Sequence, residues 1–290
     1  MERFQFQNKK EKDYFEGWYF RYTTDNINYA VIFAVSKNTT DPHSFIQVFD
    51  ESDEACLYLR YDVADFSYDF EKHEVKISSN ILGVNRVFVR SDKLSLDLTF
   101  TDCVGLDKFN GPDSAMAYLK NAPLQCFQEV IYLEGKAEGL LNNVQTKGDI
   151  YIEKTYGNAF PSRWVWIQSS HSKKGNAISF SVGKIPVLFF KVNGFFCLLK
   201  VKGNLFRFSS PNFSRIKVKE NKISIRKGKY KLQLFPEQNH PVKLVGPIKH
   251  GLMKSTVLES INSTMIIKLY HKNKLILEDE FINVGYEMMY

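Results

Sequence analysis

The sequence predicts an all-β protein made of two antiparallel β-barrels, and three features lead to that expectation. Its 290 residues exceed the needs of one small domain and fit two of ordinary size. Aromatic residues make up 14% of the chain, including 24 Phe and 15 Tyr, and large aromatic side chains favour strands. Short apolar segments alternate with turn-forming residues, which predicts successive hairpins. Because closed sheets have no exposed edges, barrels are the expected arrangement.

Turn-forming residues separate the β-rich segments and predict the hairpins. The Asn193-Gly194 pair between two apolar runs is the strongest hairpin signal, because a type I′ turn needs two successive residues with positive φ. It also interrupts an apolar run that would otherwise resemble a membrane span. A further turn is expected at Gly203-Asn204. Other turns are expected at residues 37–43, 71–73, 91–93, 227–229 and 271–274.

The first half is expected to contain one short helix. Gly111-Pro112-Asp113 offers a helix start and an N-terminal cap. Residues 114–120 would follow for one or two turns before Pro123 ends the segment.

A weak internal repeat suggests that the two barrels follow one another along the chain. The segment GWYFRY, which contains Trp18, is followed by a polar gap and YAVIFAVS; the segment RWVWIQ, which contains Trp164, is followed by a polar gap and NAISFSV. The repeat distance is about half the chain. We therefore expect an N-terminal barrel over residues 1–155 and a C-terminal barrel over residues 156–290.

Charge is distributed unevenly between the two halves. Residues 1–172 carry 18 Lys and Arg against 25 Asp and Glu, a net of −7, whereas residues 173–290 carry 21 against 7, a net of +14. A cationic half is able to meet an anionic membrane surface or a nucleic acid. The simpler interpretation is a lysine-rich face in solvent. Peripheral contact with an anionic membrane is therefore an expectation, and nucleic-acid binding is not expected because no specific motif accompanies the charge.

Several classes of protein are not expected from the motifs. The first residues lack the apolar stretch of a secretory signal, and the four cysteines lack zinc or redox spacing, which indicates a cytoplasmic protein with reduced thiols. There is no nucleotide-binding glycine motif and no serine nucleophile motif. The six histidines are not spaced for a helical metal pair. Neither a metal nor a cofactor is therefore expected.

The segment YFEGWYFR mixes a carboxylate with large aromatic residues. In a strand, Glu16, Trp18 and Phe20 would share one face. If Glu16 is buried there, desolvation raises its pKa and makes it a candidate proton donor. The alternative is a glutamate at the barrel rim, paired with a lysine or arginine.

The segment YIEKTYGNAFPSRWVWIQ in mid-chain has the same mixed character. Glu153 is followed by Trp164, Trp166 and Gln168, and the last three would share one face of a strand. Two tryptophans and a glutamine on one face suit an apolar pocket with one polar group. The alternative is a pair of tryptophans packed in the core.

These two segments carry a resemblance to the tocopherol cyclase family. That family is recognised by a YFEGWYF-like start and by an E-K-x-[WY]-G-x-x-F-P-x-x-W-x-W-x-Q stretch, and Tyr156 stands where the plant enzymes carry Trp. The chain also lacks the long insertions and the transit peptide of the plant enzymes, so it is most similar to the shorter bacterial members. The second motif is matched at Glu153, Lys154, Gly157, Phe160, Pro161, Trp164, Trp166 and Gln168.

The resemblance implies two lipocalin-like β-barrels, related to carotenoid hydratases and to fungal enzymes of cycloaddition. It also implies a chemistry, the closure of a chromanol ring on a prenylquinol, in which an acid protonates an alkene and a phenol oxygen captures the cation. Glu153 and Glu16 are the candidate acids, with Glu153 preferred. The substrate-binding candidates are Trp18, Tyr156, Phe160, Trp164, Trp166 and Gln168.

Two further functions remain open from the sequence. The same apolar cavity would serve a non-catalytic lipid carrier, because lipocalin-like folds do not fix an activity. Basic strands interleaved with Phe are able to bind single-stranded nucleic acid. The leading hypothesis is a cyclase or isomerase acting on a prenylated or similar lipid-like molecule.

Overall fold

The computed structural model describes residues 2–7, 12–106, 125–187 and 190–289. Over these residues the chain forms 21 strands, and its helices are single 3-10 turns at Val63–Asp65, Ser210–Asn212 and Lys249–Gly251. The strands of the first half are β1 (Phe15–Thr23), β2 (Asn28–Ser36), β3 (His43–Asp50), β4 (Leu57–Tyr61), β5 (Phe66–Asp69), β6 (Glu74–Ile77), β7 (Asn80–Gly83), β8 (Arg86–Arg90), β9 (Ser95–Gly105), β10 (Cys126–Leu141) and β11 (Val144–Gly157). The remaining strands are β12 (Trp164–Ser169), β13 (Ala177–Val187), β14 (Phe190–Val201), β15 (Asn204–Ser209), β16 (Arg215–Lys219), β17 (Lys222–Lys227), β18 (Tyr230–Glu237), β19 (Val242–Pro247), β20 (Met253–His271) and β21 (Lys274–Met289).

The strands form two large antiparallel sheets, and each sheet curls so that its first strand pairs with its last. The first has the order β4-β3-β2-β1-β11-β10-β9-β8-β7-β6-β5. The second has the order β15-β14-β13-β12-β21-β20-β18-β17-β16, with β19 paired to β20. In each sheet the two end strands follow one another along the chain, so the ring is open at one place only. The predicted all-β fold of two lipocalin-like barrels is confirmed.

Each barrel encloses its own apolar core, and strand alternation explains which residues enter it. On β1, Trp18, Phe20 and Tyr22 are buried in the first core together with Ile150 and Ile152 of β11. These residues lie at every second position, as a strand with one inward face requires. The second core is built in the same way, with Val165 and Ile167 of β12, Phe180 and Val182 of β13, and Phe195, Cys197 and Leu199 of β14.

The chain folds into two compact units whose division differs from the one expected. The chain passes to the second unit after Phe160, and the segment Val242–Val257 packs with the first unit, whereas the sequence suggested domains of residues 1–155 and 156–290. The physical reason lies in β3, where the side chain of Gln47 donates to the carbonyl oxygen of Val245 at 2.9 Å and accepts from its N–H at 2.8 Å. Met253 also packs against a small apolar cluster of the first unit.

The hairpin expected at Asn193-Gly194 is wrong. Asn193 pairs with Lys184 and Gly194 with Gly183 within a ladder of β13 and β14 that extends to the Val187–Phe190 pair. This longer ladder places Val182 opposite Phe195, and both are buried in the second core. Burial of these side chains therefore decides the register against the local turn signal.

The other expected turns are confirmed. Strands end and begin on either side of residues 37–42, 70–73, 91–94, 202–203, 228–229 and 272–273. The short helix expected at residues 114–120 lies outside the described residues. Of the described helices, none has the length and apolar character needed to cross a bilayer.

Candidate functional site

The two predicted acids lie on opposite faces of the first sheet. Glu16 of β1 is opposite Tyr156 of β11, and Trp18 is opposite Lys154, so these four residues share the face that encloses the first core. Glu153 is opposite Tyr19 and belongs to the other face. The structure therefore brings Glu16, Trp18 and Tyr156 together and separates Glu153 from them.

Glu16 is the centre of a buried polar cluster in the first unit. Its side chain and that of Lys154 are both 0% exposed, and the Lys154 ammonium lies 3.5 Å from the Glu16 carboxylate and 3.4 Å from that of Glu129. The Tyr14 hydroxyl donates to Glu16 at 2.7 Å. The sequence left open that Glu16 pairs with a lysine or arginine, and Lys154 is such a partner. The pair nevertheless lies in the interior and not in solvent.

Burial governs the protonation of this cluster. Desolvation raises the pKa of Glu16, while the Lys154 charge and hydrogen bonds from Tyr14 and Gln7 act in the opposite direction. Desolvation likewise lowers the pKa of Lys154, against the charges of Glu16 and Glu129. Burial and the Glu16 carboxylate raise the pKa of Tyr14, which keeps its hydroxyl available as a donor.

Backbone groups of residues 4–7, in the N-terminal segment, form hydrogen bonds with side chains of this cluster. The backbone N–H of Gln7 donates to both oxygens of Glu16 at 3.1 Å. The Lys154 ammonium donates to the carbonyl of Gln5 at 2.6 Å, and the Trp18 indole donates to the carbonyl of Phe4 at 2.9 Å. Glu16 and Trp18 thus hold the chain's own N-terminal segment, and these contacts favour a structural role for both. Their predicted roles in catalysis and binding stay predictions.

The remaining predicted residues of the first unit have partners within that unit. Glu153 accepts from the side-chain amide of Gln128 at 2.9 Å and from the Tyr151 hydroxyl at 2.5 Å. Tyr156 stacks on Phe127 with ring centroids 5.2 Å apart. Phe160 meets the edge of Phe15 at 5.6 Å.

The mid-chain tryptophans belong to the second unit and share one face of β12. Val165 and Ile167 point into the second core, so Trp164, Trp166 and Gln168 lie on the opposite face. This is the shared face that the sequence predicted. Trp166 and Gln168 are nonetheless buried, while Trp164 is partly exposed.

A pair of glutamates completes this face of the second unit. Glu287 of β21 is opposite Trp166 of β12 and opposite Glu259 of β20. The Trp164 indole N–H donates to the Glu287 carboxyl at 2.8 Å. Glu259 is 1% exposed, whereas Glu287 is partly exposed.

The environment of Glu287 favours its neutral form. Although the residue as a whole is partly exposed, burial of its carboxyl group raises its pKa, and the hydrogen bond from Trp164 counteracts part of that effect. A carboxyl group kept neutral in this way is able to act as a proton donor near neutral pH. The arrangement therefore places a carboxyl group of raised pKa against Trp164 and beside Trp166.

Sequence reasoning missed both glutamates of this pair. The segment FINVGYE, which ends at Glu287, resembles the family in chain order but has no sharp motif. Glu259 lies in ESINS, where nothing distinguishes it from a solvent-facing strand residue. Only the pairing of β20 with β21 brings the two carboxyl groups together.

No group of three or more His, Cys, Asp or Glu suited to a metal ion occurs among the described residues. The four cysteines are thiols that form no disulfide bond.

The family model described as tocopherol cyclase-like matches residues 98–288, which is well over half of the chain. The chain belongs to the tocopherol cyclase-like family. The resemblance predicted from the two motifs is therefore confirmed, and the matched range includes the mid-chain motif and both glutamates of the pair.

Solved structures of similar fold extend the comparison over almost the whole chain. CghA with bound Sch210972 is 7% identical, with 95% of this chain and 88% of that chain covered and a TM-score of 0.56. Kievitone hydratase from Nectria haematococca is 14% identical, with 96% and 89% covered and a TM-score of 0.48. At 7% identity the likeness to CghA concerns the fold alone. No protein of curated function matches the chain.

Proposed function

We propose that this member of the tocopherol cyclase-like family is an acid-dependent cyclase or hydratase acting on a prenylated or similarly apolar small molecule. The observation that carries the proposal is the position of Glu287, which lies directly opposite Glu259 and accepts a hydrogen bond from the Trp164 indole at 2.8 Å. In this assignment the acid is the pair on β20 and β21, in preference to the sequence candidates Glu153 and Glu16.

In the proposed reaction the glutamate pair carries one proton, which Glu287 donates. The pair donates a proton to one alkene carbon of the prenyl chain, and the other carbon becomes a tertiary cation. A phenol oxygen of the same molecule then attacks the cation and closes a ring, or water attacks it and gives an alcohol. The proton released from the attacking oxygen returns to the pair, so the acid is regenerated.

The neighbouring side chains support this assignment. An aromatic face stabilises a nearby cation by about 0.5–2 kcal/mol, and Trp164 and Trp166 lie next to the pair across β12 and β21. Gln168, on the same face of β12, is suited to bind a hydroxyl or carbonyl oxygen of the substrate.

Glu287→Gln tests the proposal directly. With a phytyl-substituted benzoquinol as substrate under reducing conditions, we expect the wild-type protein to form the chromanol and the variant to lose at least about 100-fold in rate. Retained binding of the quinol by the variant would show that the loss concerns proton transfer. Product is measured by liquid chromatography with mass spectrometry.

Two further variants make the result specific. Glu278→Gln removes a more exposed carboxylate from the same strand and is expected to leave the rate unchanged. Glu153→Gln tests the candidate drawn from the sequence motif. Equal rates for wild type and Glu287→Gln would contradict the proposal, and quinol binding without product in every form would favour the lipid carrier.

A further inference from the structure

We propose that the outer surface of β16–β18, together with Phe213 at its edge, binds an anionic lipid bilayer. We name this surface the cationic face and define it by Arg215, Lys217, Lys219, Arg226 and Lys231. The proposal concerns a surface of the second unit and does not depend on the proposed catalytic function.

The charges of the cationic face are concentrated and unpaired. Between positions 213 and 231 the sequence carries eight Lys and Arg and a single acidic residue, Glu220. Arg215 lies directly opposite Arg226, and Arg226 directly opposite Lys231. Among the described residues, no carboxylate pairs with Arg215, Lys217 or Arg226. Like charges directly opposite one another destabilise a sheet, so this row costs folding stability that an anionic partner would offset.

Phe213 adds a protruding apolar group at the edge of this face. It comes immediately before Ser214 and β16, and it is 92% exposed. Its φ is +60°, a backbone conformation that is strained for a bulky aromatic residue. Neither the strain nor the exposure stabilises the isolated protein, which points to an external role for the ring.

The loop holds Phe213 in this position by specific hydrogen bonds. The side chain of Asn212 accepts from the backbone N–H of Ser209 at 2.9 Å and from the Ser214 hydroxyl at 2.6 Å, and it donates to the carbonyl of Arg207 at 3.0 Å. These three hydrogen bonds of Asn212 fix the conformation of the loop, and this conformation leaves the ring of Phe213 exposed.

Protection of the sheet edge against association with other strands would explain the charges of this face but not the exposed Phe213. β16 is the last strand of its sheet, and charged residues at an edge discourage association with other strands. An exposed phenylalanine at the same edge has the opposite effect. Charge and aromatic ring together match an interfacial anchor, in which the ring enters the apolar layer and the cations meet lipid phosphates.

The aromatic residues near the cationic face favour a bilayer over a nucleic acid. Binding of single strands uses several open rings on which successive bases stack. Here Lys231 lies over the ring of Tyr270 and Lys222 over the ring of Phe235, at 5.1 and 5.0 Å. Within the described part of this face, Phe213 is the one fully exposed ring.

Vesicle co-sedimentation of the full-length protein tests the proposal. We expect binding to phosphatidylcholine vesicles containing about 30% phosphatidylglycerol at about 50 mM NaCl, and no binding to phosphatidylcholine alone. The Arg215→Ser/Lys217→Ser/Arg226→Ser variant should bind on the order of 100-fold more weakly. Phe213→Asn should bind about tenfold more weakly, with a melting temperature equal to or above that of the wild type because Asn tolerates positive φ.

Matched controls come from exposed positions of the first unit. Lys72→Ser/Lys147→Ser/Lys249→Ser removes the same charge, and Val144→Ser removes another apolar side chain exposed at a hairpin, 67% accessible. Both should bind vesicles as the wild type does. The proposal is overturned if the wild type does not bind anionic vesicles, or if the controls lose as much binding as the variants. The proposal is also overturned if a single-stranded oligonucleotide displaces the protein from the vesicles while the Phe213→Asn variant binds them as tightly as the wild type.

Discussion

Glu16 illustrates what residue-level reasoning from a sequence is able to reach. Its alternation with Trp18 and Phe20 predicted one shared face, and the structure places all three inside the first barrel. The partner of Glu16, Lys154, is distant in sequence, and strand periodicity does not specify which strand pairs with which. The sequence therefore could not predict the buried cluster or the pairing of Glu259 with Glu287, since both depend on contacts between distant strands.

The raised pKa of Glu287 predicts how stability depends on pH. A carboxyl whose pKa is raised in the folded state stabilises the fold fully below its ordinary pKa, and this contribution is lost as the pH rises through the raised value. Glutamine imitates the neutral form at every pH. Relative to wild type, Glu287→Gln should therefore gain in melting temperature as the pH is raised from about 4 to about 9.

Thermal unfolding of both proteins across this pH range measures the effect. Glu278→Gln, on the same strand, should follow the wild-type pH profile. Identical profiles for wild type and Glu287→Gln would mean that the pKa of Glu287 is not raised in the folded state.

Among the hairpins, a turn-forming sequence predicts a turn correctly where a turn there agrees with burial of the flanking apolar side chains. It predicts wrongly where a turn would prevent that burial. The turns at Lys202-Gly203 and Lys272-Asn273 have positive φ at both residues, as type I′ hairpins require. Asn193-Gly194 has the better sequence for such a turn, yet it lies inside a paired strand. Packing of Val182 and Phe195 into the second core stabilises that register more than a turn at Asn193-Gly194 would.

Gly157 ends β11 in a conformation that other residues disfavour, and its replacement should weaken the first barrel. Its φ is +154°, and an added Cβ would lie 2.2 Å from the carbonyl oxygen of Gln125. Gly157→Ala should therefore lower the free energy of unfolding by about 2 kcal/mol or more. Urea denaturation measures the change.

Gly175 provides the matched comparison. Its φ is +67°, and an added Cβ would meet nothing within 4 Å, so Gly175→Ala should cost only about 1 kcal/mol. A Gly157→Ala protein as stable as Gly175→Ala would show that the contact with Gln125 relaxes without cost.

For the whole molecule, the sequence predicted two barrels and the basic second half, but not that the first unit includes residues 242–257. β19 has the same short apolar pattern as its neighbours, and nothing in it identifies its unit. The contacts that hold this segment in the first unit come from Gln47. Its side chain forms two hydrogen bonds with the backbone N–H and carbonyl of Val245, as a neighbouring strand would. The backbone of Lys243 adds hydrogen bonds to Glu54 and Cys56 at 3.0 and 2.9 Å.

A fragment of residues 1–160 should therefore be an incomplete domain. Without residues 242–257, the apolar cluster that includes Phe45 and Ala34 loses its cover by Met253. We expect the fragment to bind the dye ANS and to melt at a lower temperature than a version with residues 242–257 attached through a flexible linker. Equal melting temperatures and equal dye binding would contradict this view of the first unit.

The first unit includes residues 242–257, which lie late in the chain, and this order has a consequence during synthesis. The nascent first barrel waits for about 100 further residues before its missing segment leaves the ribosome, a delay of about 5–20 s at ordinary elongation rates. For that interval its uncovered apolar surface is open to chaperones and to aggregation. Slower translation between codons 160 and 257 should therefore lower the soluble yield.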